Sequence, residues 1–205
     1  MSSPLARSTK ADVVSDFRRS QILDAARQSF TRHGVTRTSV ETIAKTAGMA
    51  KGTVYLYYRS KDEVLHQILT EDLAELKDDA LRCVVGPGTI DERLQRFLHA
   101  VISFFERRRD FIEHCQLEMS PELRKKAKQK LELVFSALTE AWRRVLGEES
   151  AHGTIRGADL DAAARTIVSL AHGMSIQRLR GWQTDPLGAS VASASSLILH
   201  GLIGP

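Results

Sequence analysis

Cysteine is scarce in this chain: Cys83 and Cys115 are the only two among 205 residues. So few exclude a disulfide scaffold and a zinc ribbon, which needs clustered thiolates, and they point to a reduced, cytoplasmic setting. No apolar run approaches the ~18 residues of a membrane span. The stretch Met1 to Arg7 lacks the apolar segment of a secretory signal, so export is not expected. Sustained period-two alternation with β-branched enrichment is missing too, which argues against strands. Signatures of catalysis are equally sparse. None of the seven histidines pairs with another at i, i+3 or i+4, and there is no His-Glu-x-x-His, Gly-x-Ser-x-Gly or phosphate-cradling glycine loop. His114 and Cys115 are sequence neighbours, so on a helix their side chains diverge. The expectation is a protein that is not an enzyme, with no cofactor, no metal and no membrane partner.

What is present is helical punctuation and an uneven charge. With 26% charged and 42% hydrophobic residues the composition suits a globular chain. The net charge of +4 is concentrated at one end. Residues 1–62 hold eleven Lys/Arg against five Asp/Glu, and the remainder is slightly acidic. A basic end on an acidic body suggests that this end meets a polyanion.

The first ~14 residues read as a loose arm. From Asp16 the residues Phe17, Ile22, Ala25, Ala26, Phe30 and His33 recur at helical spacing, until Gly34 offers a left-handed stop. Three capping boxes follow: Thr38 to Glu41, Ser60 to Glu63 and Thr89 to Glu92. Ser120-Pro121 and Asp185-Pro186 open later helices, and a loop is expected over 147–157. The chain therefore reads as all-α, with about nine helices.

Between Thr38 and Tyr58 two short helices meet at Ala47-Gly48-Met49, with a long helix on either side. Ile43, Ala44, Ala47, Val54 and Tyr58 can hold them by packing. Lys51, Thr53, Tyr55 and Tyr57 then face outward, and Gly52 permits close backbone approach. That is the layout of a helix-turn-helix, whose second helix enters a DNA major groove. Thr38, Ser39 and Lys61 stand at helix starts, where they can meet phosphates. A plain helical corner with a tyrosine-rich packing cluster is the alternative.

The run from Ile22-Leu23-Asp24-Ala25-Ala26 through Gly34, Thr38-Ser39-Val40, Ala47-Gly48-Met49-Ala50-Lys51-Gly52-Thr53-Val54-Tyr55-Leu56-Tyr57-Tyr58 and Ser60-Lys61-Asp62-Glu63-Val64-Leu65 resembles the TetR family of bacterial transcriptional regulators. The likeness covers about residues 16–70. It implies a three-helix DNA-binding domain, then a larger helical-bundle domain that dimerises and receives a ligand. The expected division is an arm over 1–15, a DNA-binding domain over 16–62 with its motif at about 39–58, and a ligand-binding and dimerisation domain over 63–205. The family commonly reads Gly-Val-Ser-x-Gly-Thr-Leu-Tyr-Tyr-His-Phe here. Met49-Ala50 replaces Val-Ser, which removes a capping hydroxyl. Leu56 replaces the second tyrosine and Tyr57 the histidine. Backbone-clamping roles carry over to Lys51, Gly52, Thr53, Tyr55 and Lys61, while Leu56 stays open between a thymine-methyl contact and packing.

The rest of the chain supplies expectations for the partners. A recognition helix reads few base pairs, so a homodimer on a pseudopalindromic double-stranded DNA operator is expected. The small residues of 187–202, with Ala189, Ala192, Ser196 and Leu199 foremost, suit its interface, and Leu202 adds apolar area. Phe97, Phe104, Phe105, Phe111, Trp142 and Trp182, with His99, His114, Cys115, Glu118 and His172 as polar groups, outline an apolar pocket for a small-molecule effector. Arg107-Arg108-Arg109 reads as a solvated helix end. The basic cluster Arg124, Lys125, Lys126, Lys128 and Lys130 opens a helix, where the dipole disfavours it, and reads as a solvated face. The functional reading is a repressor that leaves its operator when effector binds. A helix-turn-helix protein without ligand control is the main alternative, and an enzyme the remote one.

Overall fold

The computed structural model describes residues 10–152 and 159–203. Among them are nine helices and no strands: α1 (Lys10–His33), α2 (Val40–Thr46), α3 (Lys51–Tyr57), α4 (Lys61–Val85), α5 (Ile90–Arg107), α6 (Arg109–Glu118), α7 (Pro121–Ala151), α8 (Leu160–Leu179) and α9 (Leu187–Ile203). The all-α expectation holds. Two compact units divide these helices. The first comprises Met1–Leu69 with Glu113–Arg124, and the second Thr70–Ile112 with Lys125–Pro205.

In the first unit α1 begins at Lys10, earlier than the Asp16 that periodicity suggested, so residues 10–15 are helix rather than arm. Residues 1–9 lie outside the described part. Phe17 does not face inward as its spacing implied. It is exposed, together with Val13 and Val14 on the same stretch of α1. The buried stripe starts one turn later with Ile22, Leu23, Ala26 and Phe30. Gly34 ends the helix at φ +79°, donating its N–H to the Phe30 carbonyl. α2 packs against α1 and α3. Ile43 and Ala44 of α2, Val54 of α3, Tyr58, and Val64, Leu65 and Ile68 of α4 are all buried.

The second unit is built on α5, the most amphipathic helix of the chain. Ile90, Leu94, Phe97, Leu98, Val101, Ile102, Phe104 and Phe105 put eight apolar side chains out of water on this one helix. It packs on α8 and α9, which present Ala164, Ile167, Val168, Ala171 and Met174, and Val191, Ala194 and Leu199. Trp142 of α7 meets Phe97 edge-to-face at 5.4 Å. The Thr89 capping box forms in full, Thr89 accepting from the Glu92 N–H and Glu92 from the Thr89 N–H. One buried polar link joins α5 to α9: the Ser195 hydroxyl, fully buried, donates to Asp91 at 2.5 Å.

Two boundary expectations change. α7 runs on to Ala151, through the Gly147 to Glu149 stretch read as loop. Val145 and Leu146 are buried and hold its last turns in place, so one glycine is not enough to end it. The remainder of that expected loop, 153–157, lies outside the described residues. Arg107-Arg108-Arg109 is also not a solvated terminus. The Arg108 guanidinium lies 4.0 Å over the Phe104 ring and pairs with Asp72 at 3.1 Å and Glu75 at 2.6 Å. Arg109 donates to the Arg178 carbonyl, and Arg178 in turn pairs with Glu106 at 2.6 Å and donates to the Asp185 carbonyl. The α5–α6 corner is thus an arginine hub anchored to α4 and α8, and only Arg107 is exposed.

Because Phe97 is fully buried against Trp142, Phe97→Ala should cost about 3–5 kcal/mol of stability. Urea denaturation at fixed protein concentration measures it, and a loss under about 1 kcal/mol contradicts the packing described.

Candidate nucleic-acid interface

A seven-residue helix has too few internal hydrogen bonds to persist alone in water. α2 and α3 are both this short, so their geometry depends on what fixes their ends. Ser39 rather than Thr38 is the N-cap of α2, its hydroxyl accepting from the Thr42 N–H at 3.1 Å. At the other end Gly48 takes φ +66°, and the Met49 N–H returns to the Ala44 carbonyl at 2.9 Å. This is the left-handed closure that a side chain with a Cβ would strain. α3 starts at Ala50 without a side-chain cap, as the missing hydroxyl there implied.

Helical phase then decides what α3 shows. Val54 and Tyr58 point inward, whereas Lys51, Gly52, Tyr55 and Leu56 are exposed. Leu56 is 83% exposed, which removes the packing alternative for it. Thr53 and Tyr57 are half-buried, and the Arg19 guanidinium of α1 lies 5.6 Å from the Tyr57 ring centre. Lys51 pairs loosely with Glu41 at 3.6 Å, both side chains well exposed. A Cβ added at Gly52 meets nothing within 4 Å, so this face is open to a close approach.

Two expected phosphate contacts have other occupations. Thr38 is 1% exposed, and its hydroxyl donates to the Gly34 carbonyl at 2.7 Å, tying the loop before α2 to the end of α1. Lys61 directs its ammonium to three backbone carbonyls, those of Val35 at 2.7 Å, Thr36 at 3.1 Å and Thr38 at 3.1 Å. All three of its protons are taken, which leaves no donor for phosphate in this conformation. Sequence spacing could place Lys61 at a helix start but not tell a loop anchor from a phosphate clamp, because the carbonyls it holds lie 23 to 26 residues away.

The expected effector residues divide between the units. Phe97, Phe104, Phe105, Phe111 and Trp142 are buried in the second unit, and His172 stands half-buried beside Phe135 at 4.8 Å and Phe105 at 6.4 Å. Burial lowers the His172 pKa below its ordinary value. Phe135 of α7, absent from the expected set, joins these aromatics. Five residues fall outside any such pocket. His99 is exposed and pairs with Ser103 on its own helix, and Trp182 is 71% exposed with Arg180 beside it. His114, Cys115 and Glu118 belong to the first unit. Glu118 is occupied there, accepting from the Thr36 N–H at 2.6 Å. On α9, Ala189, Ala192, Ser193, Ser196 and Leu197 are exposed, whereas Leu199 points into the core of its own chain, out of reach of a partner. Leu202 is beyond the described side chains. Ala189, Ser193 and Leu197 of α9, with Gly173, Met174 and Gln177 of α8, border a cleft of about 540 Å³.

Residues 22–68 match the family model described as bacterial regulatory proteins, tetR family. The uncharacterized HTH-type transcriptional regulator YhgD of Bacillus subtilis is 34% identical over 42% of this chain and 46% of its own length, so that match spans about half of the relative. The fatty acid metabolism regulator protein of the same organism is 26% identical over 72% of this chain and 76% of its own. Among solved structures, the transcriptional regulator FadR from Bacillus subtilis in complex with stearoyl-CoA superposes with a TM-score of 0.65 at 25% identity. It covers 89% of this chain and 98% of that one.

Two expectations follow. Lys61→Met should lower stability by about 1–3 kcal/mol, as three carbonyls lose a charged donor, while Lys51→Ala should change it by less than about 0.5 kcal/mol. Urea titration of both variants checks the contrast, and equal effects would remove the anchor role. His172 favours its neutral form in the folded state, so it contributes to a stability loss that sets in as pH falls through its unfolded pKa of about 6.5. His172→Phe should flatten the thermal-stability profile below that pH, and an unchanged profile would assign the acid sensitivity to other groups.

Proposed function

We propose that this chain, whose residues 22–68 match the tetR family model, is a dimeric repressor of that family whose operator affinity falls when a long-chain acyl thioester binds. The observation that carries the effector class is the whole-length likeness to a regulator solved with stearoyl-CoA. The relative described as a fatty acid metabolism regulator points the same way. A helical unit with an apolar core, and one half-buried histidine set beside aromatics, is chemically suited to an acyl chain. Phe105, Phe135 and His172 are the residues we assign to it, with Phe97, Phe104, Phe111 and Trp142 as the walls behind them.

DNA contact is assigned to the exposed face of α3. Lys51 supplies charge, Gly52 a close backbone approach, and Tyr55 and Leu56 the flat and apolar surfaces for base edges. Thr53, Tyr57 and the Ser39 cap flank this face. Two copies are needed for a useful site size, and the open α8–α9 cleft offers the surface. Its small residues Gly173, Ala189 and Ser193, with the exposed Ala192 and Ser196 on the same helix as Ala189, let helices of a second copy approach closely, and Leu197, 77% exposed, supplies an apolar contact. Occupancy of a promoter by this dimer represses it. An effector that prefers a conformation with altered head spacing lowers affinity by its differential binding, about 5- to 150-fold.

Anisotropy with DNA from upstream of the chain's own gene, titrated with palmitoyl-CoA against coenzyme A alone, tests this reading. A fall of at least about fivefold with the thioester only is expected, together with a raised melting temperature. Saturable binding that ignores palmitoyl-CoA would favour a regulator without this ligand. For the dimer, Ala192→Glu should shift sedimentation toward monomer, and an unshifted dimer would place the interface elsewhere.

A further inference from the structure

The end of α6 lies in the DNA-binding unit although it is 82 residues away in sequence from the loop it touches. Glu118, the last residue of that helix, presents its carboxylate to the loop between α1 and α2. The Thr36 N–H donates to Oε2 at 2.6 Å, and the Thr36 side chain and the Val35 amide also favour the charged carboxylate. These hydrogen bonds, the one from Thr36 foremost, hold the Glu118 carboxyl below its ordinary pKa. The opposite side of the same peptides is held by Lys61 through the Val35, Thr36 and Thr38 carbonyls. An ammonium on the carbonyls and a carboxylate on the amides thus grip one short loop from two sides. Gly34 completes the fit: a Cβ there would stand 2.7 Å from Glu118 Oε1, and the φ of +79° already calls for glycine.

Four residues separate Gly34 from the Ser39 cap of α2, and that helix is too short to set its own orientation. The family match ends at residue 68, so nothing in it assigns a role to Glu118. We propose that Glu118 is a positioning residue for DNA binding: by holding the Thr36 amide it fixes the start of α2, and with it the α3 face presented to the operator. The proposal rests on the DNA-binding function and not on the identity of the effector. It also reverses a simple electrostatic expectation. A carboxylate in a basic head should repel DNA, so its removal should tighten binding, whereas a positioning carboxylate makes removal weaken it.

The experiment uses the full chain and the tightest duplex that it selects from a random-sequence pool. Anisotropy on that duplex compares wild type with Glu118→Gln and Glu118→Ala, and amide hydrogen exchange follows Thr36. Failure of the wild type to select any duplex would overturn the DNA-binding reading itself. With a selected duplex in hand, Glu118→Ala should weaken binding about tenfold. Glu118→Gln should weaken it less, because its one carbonyl oxygen still accepts a single N–H. In both, Thr36 should exchange faster while helix content, dimer state and the slope of affinity against salt stay unchanged, since no phosphate contact is removed. Unchanged or tighter binding would overturn the proposal. So would weaker binding with Thr36 still protected, or a loss that tracks unfolding rather than exchange at this loop.

Discussion

A helix of seven residues does not hold itself together in water, and the face we assign to DNA is made of two of them. The constraint governs the whole first unit. Apolar anchors beneath the pair, Ile43, Ala44, Val54 and Tyr58, supply the free energy, but packing alone tolerates small rotations of short elements. Direction comes from the ends. The glycine closure at Gly48 sets the angle between the helices, and the loop 34–38 sets where the first one begins. That loop has no secondary structure of its own, so ionic groups hold its peptides in place of a hydrogen-bond ladder.

The second unit solves a different problem. A long helix with one broad apolar face, α5, is covered by α8 and α9, and its far end is secured by charge rather than by more burial. Arg108 and Arg178 each reach a carboxylate at 2.6 Å from a mostly buried position. Such pairs add little net stability over an apolar core, but they punish misregistry, because any slip leaves a buried charge without its partner. A corner held this way suits a scaffold in which helices must keep their register around an apolar interior.

Much of this was legible in the amino-acid order, and the reasons are local. Gly34, Gly48, Thr89-Glu92 and Ser120-Pro121 mark helix ends through hydrogen bonds spanning three to five residues, so most of the nine described helices could be counted. The buried faces of α5 and α8 follow from simple periodicity. What escaped depends on partners far along the chain. Lys61 and Thr38 looked like phosphate ligands because their true partners are carbonyls of a loop. Glu118 looked like a pocket residue because the amide it holds lies 82 positions upstream. Leu199 looked like interface because a helix apolar on both sides does not declare which side faces its own core. Arg108 looked solvated because Asp72 and Glu75 sit on a different helix. Tertiary charge pairing leaves no periodic trace.

The carboxylate at the end of α6 also bears on what counts as the transferable piece of this regulator. A DNA-binding head moved between proteins as one contiguous amino-terminal segment would be cut within α4. Here the compact unit that contains the head is made of two stretches of chain, and 113–124 is the second of them. A chimaera joined after residue 69 would inherit the ammonium half of the grip and leave the carboxylate half behind. Whatever residue the recipient carried at the position of Glu118 would then face the Thr36 amide. Head exchange in this architecture is a problem of two junctions, and compatibility of the second is invisible in the helix-turn-helix itself.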